Sequence, residues 1–158
     1  MSVDIQNENQ LLIPIPQADI IQWVGLTLSR LQQSGDICIC FVDETQMSEL
    51  NGQYRNKPTP TNILSFPSEL PKDIQQELNI LGDMVICPAV LADEAVQLNK
   101  PLRDHWAHIC VHGVLHLLGY DHIEEKDEKV MQMQEISILA QLNIPNPYSE
   151  TEGAKLEH

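Results

Sequence analysis

Hydrophobic residues along this chain recur with two different periods, and the longer period marks the helices. Between residues 17 and 33 they return every three or four positions, at Ile20, Val24 and Leu28 for example, which predicts an amphipathic helix. Similar spacing, or a composition that favours helices, follows in four later segments. These segments are a helix capped at Asp43 or Thr45 that ends near Tyr54, and the stretches 88–98, 101–118 and 124–142.

Short apolar runs between turn residues predict the strands. These runs are 37–42, 63–66 and 80–87, with a weaker alternation at 2–7 that predicts an edge strand. Gly82 and Asp83 interrupt the third run and predict a bulge or a close approach of backbone. Residues 55–62 and 68–79 carry neither pattern and are predicted as loops. Three or four strands with about five helices indicate an α+β fold.

The chain length and composition indicate one soluble domain. With 158 residues, 42% of them apolar and 20% charged, the chain can enclose a single core. No apolar run approaches the roughly 20 residues needed to cross a bilayer. The N-terminus lacks the basic and apolar parts of a signal peptide, so we expect a cytoplasmic protein that binds no membrane. We predict the domain at 1–142 and a flexible tail at 143–158, of which 156–158 resemble the start of an expression tag.

The segment HGVLHLLGYDH, at 112–122, carries the residues best suited to bind a metal ion. His112 and His116 are four residues apart, so a helix places both imidazoles on one face, with Cβ atoms roughly 5–6 Å apart. Gly119 follows where helices commonly end, because glycine adopts a left-handed conformation without a steric clash. The chain can then reverse and bring His122 toward the same ion. Three imidazoles and one open position are the ligand set of a catalytic zinc site.

Zinc peptidases share this spacing but differ at one position. The pattern H-x-x-x-H-x-x-G-x-x-H matches that of the metzincin proteases. Those enzymes carry a glutamate directly after the first histidine, and it acts as the general base. Gly113 occupies that position here. A metzincin-like peptidase that uses another base is therefore one alternative, and a non-catalytic protein whose fold is held by zinc is another.

Three further residues lie close to the motif. His105 and His108 precede it on the same predicted helix, and His108 is spaced so that it could compete as a ligand. A straight helix would spread three histidines from position 108 onward over two turns, so we favour His122 and predict surface or supporting positions for the earlier two. Asp121 has two interpretations: it orients an imidazole, or it takes part in the turn.

The charge balance bears on what the protein binds. The formal net charge is -14 and only 9 residues are Lys or Arg, which argues against general nucleic-acid binding because phosphate contacts need cations. We therefore expect no DNA partner. Two groups of basic residues remain, Arg55 with Lys57 and Lys100 with Arg103. Arg55 is either a solvated loop charge or a guanidinium group that holds phosphate oxygens with two hydrogen bonds.

Three stretches of the chain resemble one known family. The motif at 112–122 resembles the signature of the YbeY family, metal-dependent endoribonucleases of bacterial ribosomal-RNA maturation. NGQYRNKPTPTNILSFP, at 51–67, resembles the arginine-bearing loop and following strand of that family. LGDMVICP, at 81–88, resembles its central strand, and the three stretches follow the family's order.

The resemblance implies a fold, a site and a set of partners. The implied fold is a small mixed β-sheet of three to four strands packed with about five helices, one of them a zincin-like metal-binding helix. The implied metal ligands and functional arginine are His112, His116, His122 and Arg55. We expect a single-strand-specific endoribonuclease with one Zn²⁺ per chain, although other divalent ions accept imidazole too. It would act in ribosomal-RNA processing and ribosome quality control, on single-stranded ribosomal RNA at the ribosome or its small subunit. The non-catalytic alternative is then a ribosome-associated zinc protein.

Overall fold

The computed structural model describes residues 2–120 and 125–148 of the chain. The strands are β1 (Ser2–Gln6), β2 (Asp36–Phe41), β3 (Ile63–Pro67) and β4 (Ile80–Ile86). The helices are α1 (Gln17–Arg30), α2 (Glu44–Arg55), α3 (Lys72–Leu78), α4 (Pro88–Leu98), α5 (Leu102–Leu117) and α6 (Glu125–Gln141). The predicted α+β fold is confirmed. In the part of the chain that is described, no helix combines the length and apolar character needed to span a membrane.

The four strands form one mixed sheet in the order β1-β2-β4-β3. β1 and β4 run parallel to β2 on either side of it, whereas β3 runs antiparallel to β4 and forms an edge. Ile39 of β2 pairs with Ile5 and Met84, and Met84 pairs in turn with Ser65. Residues that pair directly on neighbouring strands point to the same face of a sheet, so these four side chains share one face.

The main core lies on that face, beneath α1 and α5. β2 alternates strictly, with Ile37, Ile39 and Phe41 buried and the residues between them half-exposed. Trp106 of α5 packs edge-on against Phe41, with ring centroids 5.9 Å apart. On the opposite face, Met47 of α2 belongs to a second, smaller cluster of buried residues. α5 is buried along most of its length, which explains why its helical period is weak in the sequence.

α2 is capped at its N-terminus by Asp43, the first of the two predicted capping residues. Asp43 accepts a hydrogen bond from the backbone N–H of Gln46 (2.8 Å), and the Gln46 side chain accepts one from the Asp43 N–H (3.2 Å). This reciprocal pair satisfies two backbone donors that the first turn of a helix leaves without partners. Asn56 ends the helix in a left-handed conformation (φ 59°).

The close approach of backbone predicted at Gly82 is confirmed. Gly82 has φ 147°, and a Cβ at this position would collide with the carbonyl oxygen of Phe66 on the neighbouring strand. A Cβ would also lie 3.0 Å from Leu117 of α5. The pairing of β4 with β2 shifts by one residue next to it, between Asp36 and Ile37. Glycine therefore lets β3 and α5 approach β4 at the same point.

Two predicted loop boundaries were wrong. Residues 68–79 were predicted as loop, but Lys72–Leu78 forms α3, so the described residues contain six helices. The apolar side chains of this short helix, Ile74 and Leu78, are exposed by 41% and 53%, and apolar residues that are not buried together give no clear helical period. Arg55, predicted as the first loop residue, is the last residue of α2.

Candidate metal centre

α5 brings the first two predicted ligands together. The rings of His112 and His116 lie one helical turn apart, with centroids 4.6 Å from each other and planes inclined by 73°. Both side chains are half-buried. His122, the third predicted ligand, and Asp121 lie outside the described residues, so their roles stay predictions.

The end of α5 follows the prediction made for Gly119. The N–H of Gly119 donates to the carbonyl of His116 (3.1 Å), and the N–H of Tyr120 donates to the carbonyl of Leu115 (3.0 Å). These two bonds are the Schellman arrangement, which satisfies carbonyls that the helix end would leave without donors. Gly119 has φ 98°, a region that side chains disfavour. The chain thus leaves the helix directly after the second histidine.

Glu135 of α6 holds His112 from behind. Its Oε2 accepts a hydrogen bond from Nδ1 of His112 at 2.6 Å, and the Glu135 side chain is fully buried. A buried carboxylate is costly unless it is hydrogen-bonded, so this contact has to be part of a larger set of donors.

Two further residues complete that set. The hydroxyl of Tyr148 donates to Oε1 of Glu135, and Nε2 of His108 lies 3.4 Å from the same oxygen. Nε2 of His108 also lies 3.2 Å from the Tyr148 hydroxyl, and the two rings meet edge-on. His108, predicted at the surface or in a supporting position, is buried and takes the supporting one. Tyr148 belongs to the segment that the sequence places in the tail, and its ring packs against α5 through His108.

The buried groups have shifted protonation equilibria. Burial lowers the pKa of His108 and outweighs the opposing hydrogen bond to Glu135, so its imidazole is neutral. Burial would raise the pKa of Glu135, but hydrogen bonds from His108 and His112 hold that pKa below its usual range. The bond from His112 is the shorter of the two, at 2.6 Å against 3.4 Å, and comes from the less buried ring. Burial, followed by the charge of Glu135, raises the pKa of Tyr148, which remains a donor. The site therefore contains one ionised carboxylate surrounded by donors.

The chemistry of these donors fits a divalent ion. Glu135 engages Nδ1 of His112, so Nε2 is the ring nitrogen that would bind metal. Histidine ligands of metal sites commonly donate their other N–H to a carboxylate, which is the arrangement seen here. Within residues 2–120 and 125–148, no three His, Cys, Asp or Glu side chains are grouped to hold an ion. His112 and His116 alone make an incomplete set, as expected if the third ligand follows Gly119.

The position that distinguishes the motif from zinc peptidases faces the sheet. Ser65 of β3 donates its hydroxyl to the carbonyl of Gly113 at 3.0 Å. α5 therefore packs against the antiparallel edge strand at the residue that follows His112. A glutamate at Gly113 would begin with its Cβ in contact with Ile63 and Met84.

The basic residues divide into two groups with different surroundings. Lys100 donates to the carbonyl of Pro147 at 2.9 Å, and Arg103 pairs with Asp19. Arg55 and Lys57, by contrast, are exposed, and neither side chain has a hydrogen-bond or ion-pair partner among the described residues. The pair nearest the end of α2 is thus the one available to an external anion.

A second histidine–carboxylate pair lies toward the start of α5. Nε2 of His105 is 2.8 Å from Oε1 of Glu94 on α4, and Asn62 donates to the same carboxylate at 3.2 Å. His105 is buried, in a supporting position rather than at the surface. This pair ties α4 to α5.

Sequence reasoning missed Glu135, grouping it with the acidic residues of the last helix. A signal was present. Met131 and Leu139, four residues before and after it, are both in the core, so Glu135 sits on the buried face of α6. An acidic residue on an apolar helical face requires a partner, and four histidines on a preceding helix are candidates for it.

Comparisons with known proteins identify the family. The sequence matches the family model described as Endoribonuclease YbeY over residues 4–143. It is 46% identical over 155 residues to the protein named Endoribonuclease YbeY of Legionella pneumophila, covering 98% of either chain. This chain belongs to the endoribonuclease YbeY family. A YbeY relative from Pseudomonas putida is 40% identical over 158 residues, covering 100% of this chain and 99% of that one. The family predicted from three short stretches is confirmed.

A solved structure agrees with the fold. The solution structure of TM1509 from Thermotoga maritima has a TM-score of 0.58 to this YbeY-family chain, covering 98% of this chain and 99% of that one. Sequence identity is 20%, so the likeness concerns the fold alone. It supports the arrangement of one mixed sheet with helices packed on it.

Proposed function

We propose that this protein is a single-strand-specific, metal-dependent endoribonuclease that acts in ribosomal-RNA processing and ribosome quality control. The observation that carries the proposal is the match of residues 4–143 to the YbeY family, with relatives of nearly equal length that are 40% and 46% identical. Its substrate is single-stranded ribosomal RNA, met on the ribosome or its small subunit in the cytoplasm. Its cofactor is one Zn²⁺ ion, or another divalent ion that accepts imidazole ligands.

The histidines and the arginine have separate roles in this proposal. His112, His116 and His122 hold the ion, which when bound polarises a phosphoryl oxygen and lowers the pKa of a coordinated water. Arg55 holds the phosphate. A planar guanidinium can donate two hydrogen bonds to phosphate oxygens and stabilise the charge that develops during cleavage. The exposure of Arg55 supports this role.

The glycine at position 113 favours RNA over peptide as the substrate. A peptidase of this pattern needs the carboxylate after the first histidine to activate water. RNA carries a 2′-hydroxyl that can serve as an internal nucleophile, so the missing carboxylate matters less. A side chain at position 113 would have to displace the ends of Ile63 and Met84.

The deciding experiment measures metal content, cleavage and folding together. We expect about one ion per chain in the wild type, loss of cleavage of a ribosomal-RNA fragment on chelation, and loss of both ion and cleavage in His116→Ala. Chelated protein should keep its circular dichroism spectrum, because the core beneath α5 consists of apolar contacts. Unfolding on chelation would instead favour the non-catalytic zinc protein. Hydrolysis of casein by metal-replete protein, without RNA cleavage, would favour the peptidase.

Arg55 requires its own variants, since a cation in the last turn also stabilises a helix end by about 0.3–1 kcal/mol. Arg55→Ala should retain the ion and lose most cleavage. Arg55→Lys keeps the charge at the helix end but not the two-pronged donor, so it should melt like the wild type and still cleave poorly. Arg103→Ala removes the same charge from a partly exposed ion pair and serves as the control. Cleavage by Arg55→Ala at the rate of this control would contradict the assignment.

A further inference from the structure

The buried carboxylate of Glu135 is more elaborately bonded than helix packing requires. Its two oxygens accept hydrogen bonds from different groups, Oε2 from His112 and Oε1 from Tyr148. Nε2 of His108 also lies 3.4 Å from Oε1. An apolar residue would join α6 to α5 without burying a charge. A charge is retained in such surroundings only where its donors satisfy it.

We propose that Glu135 is a positioning residue of the metal site, which orients His112, and that Tyr148 and His108 hold Glu135 in place. The proposal rests on the proposed function, because it takes His112 to be a metal ligand. The carboxylate accepts from Nδ1–H of His112, which leaves the lone pair on Nε2. A histidine ligand needs this tautomer and a fixed ring plane, and an adjacent carboxylate also makes the imidazole a better donor to metal.

Tyr148 extends the site to the segment after α6. Its hydroxyl engages the second oxygen of Glu135, so the carboxylate cannot rotate away from His112 without breaking that bond. Tyr148 is itself held, because its N–H donates to the side chain of Asn146 at 2.8 Å. Lys100 donates to the carbonyl of the residue between them, Pro147, at 2.9 Å. Residues 146–148, which include no predicted ligand, thereby support the predicted ligand His112 on α5.

The same helix supplies a matched control. Glu94 and His105 form a second carboxylate–histidine pair at 2.8 Å, near the other end of α5 and without a predicted metal ligand. A glutamine in place of either glutamate keeps the size of the side chain and removes its charge. A general loss of rigidity in α5 would therefore appear in both variants, whereas a loss of ligand orientation would appear only in Glu135→Gln.

The experiment compares Zn²⁺ affinity in Glu135→Gln, Glu94→Gln, Tyr148→Phe and Tyr54→Phe, each prepared without metal and titrated against a chromophoric chelator. Tyr54 is an exposed tyrosine on α2 and controls for loss of a hydroxyl. We expect Glu135→Gln to bind Zn²⁺ about 10–100-fold more weakly than the wild type. Tyr148→Phe should show a smaller loss in the same direction. Glu94→Gln and Tyr54→Phe should bind within about twofold of the wild type.

A second readout needs neither metal nor a variant of Glu135. Nitrogen-15 NMR of histidine-labelled, metal-free wild type at pH 8 should show His112 protonated on Nδ1, with its signal assigned by its loss in His112→Gln. Protonation on Nε2 instead would overturn the inference. Equal affinity of Glu135→Gln and Glu94→Gln would also overturn it, while leaving the proposed function standing. Wild-type protein that binds neither Zn²⁺ nor any other divalent ion would refute both.

Discussion

The Cβ that Gly113 lacks would lie 2.5 Å from Cδ1 of Ile63. It would also lie 2.8 Å from the sulfur of Met84. The residue after the first histidine is therefore the point where α5 rests directly on β3 and β4. Distances this short leave no space for even one methyl group unless a neighbour moves. Glycine at this position lets α5 approach the sheet without displacing the ends of Ile63 and Met84, and the motif carries no carboxylate there.

Gly113→Ala should destabilise the protein despite the higher helix propensity of alanine. The propensity gain is about 1 kcal/mol, whereas overpacking a close contact costs about 1–3 kcal/mol. We expect the free energy of unfolding in urea to fall by up to about 2 kcal/mol. Ile63→Val removes the methyl group nearest the new Cβ, so the double variant should lose less than the sum of the two single variants. Strict additivity of the two substitutions would contradict the contact between position 113 and Ile63.

Gly119→Ala should also destabilise the protein, for a different reason. No atom lies within 4 Å of the missing Cβ, but the backbone has φ 98°. Forcing an ordinary residue into positive φ costs about 1–2 kcal/mol. Asparagine tolerates this region better than alanine, so Gly119→Asn should unfold at a higher urea concentration than Gly119→Ala. The reverse order would show that the turn is not held by its backbone conformation.

Metal-free protein should lose stability as the pH falls from 7 to 5. Burial lowers the pKa of His108 below its usual value of 6.5, so near pH 6 this imidazole is protonated in the unfolded chain but not in the folded one. Each such proton changes the free energy of unfolding by up to about 1.4 kcal/mol per pH unit. The pKa of Glu135 is also lowered, and its contribution is lost only at more acidic pH, below its usual 4.5. The free energy of unfolding, measured with urea at several pH values in this range, should fall less steeply with decreasing pH in His108→Gln than in the wild type. An equal pH dependence of the two proteins would contradict the prediction.

The cysteines should react slowly with iodoacetamide while the protein is folded. Burial raises the pKa of the Cys110 thiol to about 12. Burial and then the neighbouring Cys40, whose sulfur is 3.9 Å away, raise the pKa of Cys38 to about 12. Compared with a thiol at its usual pKa of 9.0, this reduces the thiolate fraction at pH 8 by roughly a thousandfold. Mass spectrometry should show labelling at these positions only after urea is added, and rapid labelling of folded protein would refute the shifts.

The elements that face the core were predictable from the sequence, because burial imposes a period. β2 alternates between buried and half-exposed residues, and α1 has Ile20, Val24 and Leu28 in the core as its spacing indicates. α3 was not predictable in this way. Its apolar residues Ile74 and Leu78 are exposed, and its mainly polar sequence resembles that of a loop.

The candidate site was predictable as far as local spacing determines it. His112 and His116 meet because a helix brings residues four apart together, and Gly119 ends that helix because of its backbone freedom. Glu135 and Tyr148 reach the site only through the packing of α6 and the segment after it. The spacing of residues along the chain does not predict such long-range contacts.

The hydrogen bond between His112 and Glu135 joins residues that are 23 positions apart. During translation, the histidines of α5 are added to the chain before the carboxylate of Glu135. A nascent chain at that stage has its first two histidines but not the partner that orients one of them, and Tyr148 comes later still. If Glu135 orients His112 as proposed, tight retention of an ion is a property that the polypeptide acquires near the end of its synthesis.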